Sequence, residues 1–225
     1  MTKILVLLSG SGKLDGSEIH ESVLTLLAID ANGATYDICA PDADQADVVN
    51  HHTGEVAKGE RRNMRVEAAR IARGPVLDVA QVEPKHYDAL VMPGGFGAAK
   101  NLCSFASKGP DCSVVGSVEK LIQGFHKLGK PIGAICIAPA LLARVLGRGQ
   151  LTIGTDKGTA SAIERTGACH VNCAVGDIVI DEDLNLVSTP AYMLATRIGE
   201  VHTGIGKLVK EGVRRSRSPS KAAQK

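Results

Sequence analysis

The stretch GKPIGAICIAPALLARVLGRG, Gly129 to Gly149, decides how the chain is read. PIGAIC is a short apolar run with the length of a buried strand, and IAPALLARVLG has helical period, so a strand turns directly into a helix. Cys136 sits at that turn. Ala134 and Ala138 lie two residues to either side, which leaves room for a sharp change of direction, as in a G-x-S-x-G nucleophile elbow. Pro139 suits an early helical position, where its missing N–H removes no intrahelical bond. A thiol beside a helix N-terminus feels a field that favours thiolate. A small buried cysteine packed in a core would satisfy the same pattern, because unbound Cys is among the most buried residue types. These residues alone leave both readings open.

Working outward, strand-like and helix-like segments alternate. KILVLLS is followed by EIHESVLTLLAIDANG, where Ile19, Val23, Leu26 and Leu27 recur at helical spacing up to Gly33. TYDICAPD reads as a strand, YDALVMPGG as a strand ending in a turn, and VGSVEKLIQGFHKLGK as a helix ending near Gly129. DIVIDEDLNLVST reads as a hairpin turning at Glu182 to Asn185, and PAYMLATRIGEVHTGIGKLVKEG as the closing helix. Buried apolar strands alternating with helices imply an α/β fold: a mostly parallel sheet with helices on both faces. Ligands in such sheets bind beyond the carboxyl ends of the strands. The loops Ser9–Ser17, Pro93–Asn101 and Cys136–Pro139 are therefore expected to converge.

Bulk properties narrow the functional classes. The 225 residues carry a net charge of +2, 44% hydrophobic and only 3% aromatic residues, with no Trp. No basic stripe interleaved with aromatics points to nucleic acid. The apolar run Ile4 to Leu8 is too short for a membrane span and lacks the form of a secretory signal. Six scattered cysteines without such a signal favour reduced thiols and a cytoplasmic location. Asn50 to Gly74, with a polar loop and a basic helix, is expected to be a surface insertion, with a lid or dimer contact as the alternative. Residues 1–211 are expected to form one domain, and the basic, Ser-rich 212–225 a disordered tail.

SGSGKLDG lacks the spacing of a Walker A motif and of the dinucleotide fingerprint. It is a loop delivering Glu18, His20 and Glu21 to a helix start, where Glu21 is well explained as a complement to the helix dipole. In MPGGFGAAKN, consecutive glycines let backbone amides face a ligand. Gly94, Gly95 and the Ile137 amide are candidates for an oxyanion site, and a plain tight turn is the alternative. Lys100 is expected to be solvated. Cys169, His170 and Cys173 offer metal ligands, but no second cluster accompanies them, and no metal or cofactor is expected.

Together, DGSEIHESVLTLLAI, NHHTGE, RNMRVEAARIARG, PGGFGAAKNL, CIAPALLA, LTIGTD and TPAYMLA resemble the PfpI/ThiJ superfamily of class I glutamine amidotransferase-like proteins. Within it they resemble the ElbB branch, named for enhanced isoprenoid (lycopene) production. The resemblance runs from about Lys3 to Val209. It implies a flavodoxin-like three-layer α/β/α sandwich and a homodimer, with Cys136 as elbow nucleophile and Glu18 as its acidic partner. A neutral Glu18 donating to the sulfur would give Cys136 a low pKa. Many PfpI-type proteins carry His where this chain has Ile137, so a protease or amidase triad is not expected. The implied activity is glutathione-independent, glyoxalase-type conversion of a small dicarbonyl, glyoxal or methylglyoxal, to a 2-hydroxy acid. The alternative is a non-enzymatic, redox-responsive regulator using the same low-pKa thiol.

Overall fold

The computed structural model describes residues 1–217. The apolar runs pair into a seven-stranded sheet. In chain order the strands are β1 (Lys3–Leu7), β2 (Thr35–Ala40), β3 (Val49–Asn50), β4 (Glu55–Val56), β5 (Leu77–Asp78), β6 (Ala89–Met92), β7 (Ile132–Ile135), β8 (Gln150–Leu151), β9 (Cys169–His170), β10 (Val179–Asp181) and β11 (Leu186–Thr189). The main sheet runs β10-β11-β7-β6-β1-β2-β5, parallel throughout except for the β10–β11 hairpin. Its central strands β1, β6, β7 and β11 are buried almost throughout. The pairs β3–β4 and β8–β9 stand apart as two-stranded ladders.

The helices are α1 (Ile19–Ala31), α2 (Met64–Ala72), α3 (Phe96–Lys100), α4 (Phe105–Lys108), α5 (Gly116–Lys127), α6 (Ala138–Leu146), α7 (Lys157–Glu164) and α8 (Ile198–Ser216). On one face Leu121, Ile122 and Phe125 of α5 and Leu141 and Leu142 of α6 pack on Leu5, Leu90 and Ile132. On the other, Ala28 and Ile29 of α1 and Val201, Ile205 and Leu208 of α8 pack on Ile4, Val6 and Val91. This is the mostly parallel sheet covered on both faces that the alternation implied and the flavodoxin-like three-layer sandwich that the resemblance implied, with the hairpin where it was expected.

Four expectations change. The apolar residues Ile19, Val23 and Leu27 of α1 face outward, and its buried face carries Glu21, Ser22, Thr25, Ala28 and Ile29. Small and hydroxyl side chains let α1 lie close to its neighbours, and the hydroxyls of Ser22 and Thr25 satisfy themselves on the carbonyls of Glu18 and Glu21, both at 2.7 Å. The Asn50–Gly74 segment is only partly a surface feature, since α2 buries Met64, Ala68 and Ile71 in the apolar clusters. The closing helix starts at Ile198 rather than just after β11. A 3-10 turn, Ala191–Met193, intervenes, and Glu200 accepts from the amides of Thr196 and Arg197 at the true helix start.

Finally, α8 carries the ordered fold beyond residue 211. Val213 is buried, and the buried Arg215 pairs with Glu211 at 2.7 Å and Glu182 at 2.6 Å. The rest of the expected tail, from residue 218, lies outside the described residues.

Candidate functional site

β7 ends at Ile135, and the next residue turns through the left-handed region: Cys136 has φ 62°. Only a residue held by its surroundings keeps that conformation, at a cost of about 1–3 kcal/mol for a non-glycine. The Cys136 amide donates to the carbonyl of Thr189 on β11 at 3.0 Å, which anchors the turn to the sheet. α6 then begins at Ala138, with Pro139 in its first turn. The strand–Cys–helix elbow expected from the sequence is therefore present.

The three loops expected to meet do so. The Lys13 carbonyl accepts from the Phe96 amide at 2.8 Å, and the Gly94 carbonyl accepts from the Glu18 amide at 3.0 Å. Asn101 ties down the first loop by donating to the carbonyls of Ser9 and Asp15, at 2.9 and 2.7 Å. Gly94 and Gly95 are demanded by this closeness. A Cβ on Gly94 would lie 2.5 Å from the Cβ of Cys136 and 2.9 Å from Oε2 of Glu21. One on Gly95, at φ 91°, would lie 2.4 Å from the Glu18 amide. Lys100, expected to be solvated, is mostly covered and pairs with Asp47 at 2.6 Å.

The acid at the thiol is Glu21, not Glu18. Glu18 precedes the helix in extended conformation and turns its side chain back on the first turn, whereas Glu21 lies within the helix. Glu18 is the N-cap of α1, its Oε2 accepting from the Glu21 amide at 2.7 Å, and it reaches only the wall of the shared cavity. Glu21 is completely buried. Its Oε2 accepts from the Gly94 amide at 2.9 Å, its Oε1 from the Tyr192 amide at 3.2 Å, and it hydrogen-bonds Cys136. The dipole explanation of Glu21 thus missed its main role. A stripe of small or hydroxyl residues, Ser22, Thr25 and Ala28, is the sequence signal that marks this side of the helix as the buried one.

Burial pushes the Glu21 carboxyl up to about 7, with the negative charge of Glu18 adding to the shift and the amides of Gly94 and Tyr192 opposing it. The expected low thiol pKa is also overturned. Burial, and then the charge of Glu21, push the Cys136 thiol well up, while the amides of Gly95 and Ile137 pull it down. Near neutral pH the pair gives up one proton readily and holds the other.

The proposed oxyanion donors divide in the same way. Gly95 and Ile137 turn their amides toward the sulfur, but Gly94 spends its amide on Glu21. His20, beside the thiol cavity, is engaged with the Tyr192 hydroxyl at 2.7 Å. Among the described residues no cluster of three or more His, Cys, Asp or Glu could hold a metal, and His170 takes the Ile153 amide at 3.3 Å.

A cavity of about 740 Å³ opens over the sulfur, with Leu14, Phe96, Phe105, Ile137, Tyr192 and Met193 among its walls. Its aromatic and Met walls are not legible in the sequence, because they come from three separate segments.

A strained thiol at a strand–helix elbow, set at the carboxyl edge of a parallel sheet against a buried carboxyl, defines a class of α/β protein with a nucleophile elbow. The chain belongs to the DJ-1/PfpI family, whose model matches residues 14–184. A human relative, glutamine amidotransferase-like class 1 domain-containing protein 3, mitochondrial, is 42% identical over 218 residues, 93% of this chain and 81% of that protein. The ES1 protein, mitochondrial, of Danio rerio is 32% identical, covering 95% of this chain and 86% of its own length. A crystal structure of an isoprenoid biosynthesis protein with an amidotransferase-like domain, from Ehrlichia chaffeensis, superposes with a TM-score of 0.90 at 35% identity, over 96% of this chain and 99% of that one. These relatives confirm the family that the motifs suggested. The cytoplasmic expectation, in contrast, is overturned, because the curated human, Rattus norvegicus and Danio rerio relatives are named as mitochondrial.

Proposed function

We propose that the protein converts a 2-oxoaldehyde to a 2-hydroxy acid without glutathione, with Cys136 as nucleophile and Glu21 as proton carrier. The observation that carries this reading is the buried Glu21 carboxyl, held by two backbone amides and hydrogen-bonded to the thiol at the floor of a cavity. An acid titrating near 7 is well matched to moving protons at neutral pH.

As Sγ bonds to the aldehyde carbon, the thiol proton passes to Glu21, and negative charge on the former carbonyl oxygen is met by the amides of Gly95 and Ile137. Protonation of that oxygen gives a hemithioacetal. Glu21 then takes the proton from the first carbon and returns one to the second, so the first carbon is oxidised as the second is reduced. Water cleaves the resulting thioester, releasing the acid and restoring the thiol. The sum is one oxoaldehyde plus one water to one 2-hydroxy acid.

The test is turnover by purified protein in glutathione-free buffer. Methylglyoxal should give lactate and glyoxal should give glycolate, and Cys136→Ala should reduce both to the buffer blank. No product from the wild-type protein would overturn the reading. The homodimer belongs to the same proposal and is checked by light scattering; a single-chain mass at micromolar concentration would remove it. The alternative, a redox-responsive regulator using the same cysteine, predicts no turnover and a mass increase at Cys136 on peroxide titration.

A further inference from the structure

We infer that the cavity over Cys136 is built for a reactive carbonyl compound with an apolar body, larger than a two- or three-carbon dicarbonyl. The inference rests on the reaction proposed above and names its substrate class. Its first support is size. Methylglyoxal has five non-hydrogen atoms; at the ~30 Å³ that a water occupies for each, it displaces roughly 150 Å³. That is about a fifth of the 740 Å³ available, in a range that ordinarily holds far larger ligands.

The second support is where the chain places its aromatic rings. The whole sequence has three Phe, three Tyr and no Trp. Phe96, Phe105 and Tyr192, half of those six, line this one cavity, although Phe105 also reaches the core that buries Tyr87 and Phe125. Phe96 is 55% exposed, so its ring contributes little to folding and stands as an open apolar wall. Leu14 and Met193 continue that wall, and Met adapts readily to ligands of varied shape. A three-carbon dicarbonyl would touch few of these groups. A straight-chain or aryl 2-oxoaldehyde places its two carbonyl carbons at the sulfur and lays its body against the rings.

The experiment compares 2-oxooctanal with methylglyoxal on wild-type protein, Ala106→Trp and Phe96→Ala, in parallel with thermal melting of Cys136→Ala in 2-octanone or acetone. Ala106 is an exposed position on α4 that lines the cavity, so a Trp there fills the space without entering the core. Each buried methylene contributes about threefold to fourfold. In a cavity open on one side, the added chain should raise kcat/KM at least tenfold over methylglyoxal. Ala106→Trp and Phe96→Ala should each shrink that ratio several-fold, and 2-octanone, but not acetone, should raise the melting temperature.

A wild-type ratio at or below one, with equal melting in the two ketones, overturns the inference and leaves the proposed reaction standing. Absence of turnover with either aldehyde, together with stabilisation of Cys136→Ala by 2-octanone that is lost when Ala106→Trp is added to the same variant, overturns the reaction and supports the ligand class.

Discussion

The two faces of α1 are reversed relative to what their residues suggest. The outward face carries Ile19, Val23 and Leu27, while the inward face carries Glu21, Ser22 and Thr25. Apolar periodicity usually marks the buried side of a helix, and here it marks the exposed one. The inner face is polar because it delivers a carboxyl to the elbow and small because α1 must lie close to α8 and to the Gly94 turn. Where a helix must place a carboxyl in the interior, that need overrides the ordinary partition.

Substitutions on the two faces put that contrast at risk, and the largest effect belongs to Glu21. Glu21→Gln should lower kcat/KM about 10²–10⁴-fold and erase a rise in kcat/KM with pH that the wild type shows through about 7. A comparable loss from Glu18→Gln, with Glu21→Gln near wild type, would reverse the assignment. Next comes Gly94→Ala, whose methyl would fall 2.9 Å from Oε2 of Glu21 and 3.0 Å from Sγ of Cys136. Displacing either group by a fraction of an ångström should remove about 10² of the rate, and retention of full activity would show that the turn has slack.

Stability should also respond to pH through the inner face. A carboxyl whose folded pKa is raised from 4.5 to about 7 holds its proton better in the folded state than in the unfolded one. Its contribution is fully present below 4.5 and is lost as pH rises through 7, about 3 kcal/mol in all. Urea midpoints at pH 4.5 and 8 should therefore fall further apart for the wild type than for Glu21→Gln; identical pH dependence would mean that Glu21 is not protonated when buried. Removing the helix cap with Glu18→Ala should cost about 1 kcal/mol by the same urea measurement. The outer-face change Val23→Ser should stay within ~0.5 kcal/mol. A loss of several kcal/mol at Val23 would mean that this face is covered in solution.

Much of the fold is legible in the chain. Alternating apolar runs and helical segments yield the parallel sheet, the DIVIDEDLNLVST hairpin yields β10 and β11, and Ala134, Ala138 and Pro139 locate the elbow. The partner of the thiol is harder to read, because Glu18 and Glu21 differ by a single helical turn and both sit plausibly at a helix start. Which one faces inward depends on the rotation of α1, fixed by tertiary packing against α8. The apolar spacing of Ile19, Val23 and Leu27 points the wrong way. The thiol's titration was misread for a related reason: a helix N-terminus is visible in sequence, whereas complete burial and a facing carboxyl are not. The hold of Tyr192 on Glu21 is invisible in sequence because it comes from a backbone amide, which any residue type could supply.

That amide has a consequence for how the protein is made. Glu21 is synthesised near the beginning of the chain and receives the Tyr192 amide from a segment 171 residues later. Cys136, likewise, is pinned by the carbonyl of Thr189. A nascent chain therefore carries Glu21 and Cys136 long before these two partners are available to hold either in place. On the proposed reaction, activity regained during refolding should report the docking of the last strand rather than collapse of the first ones.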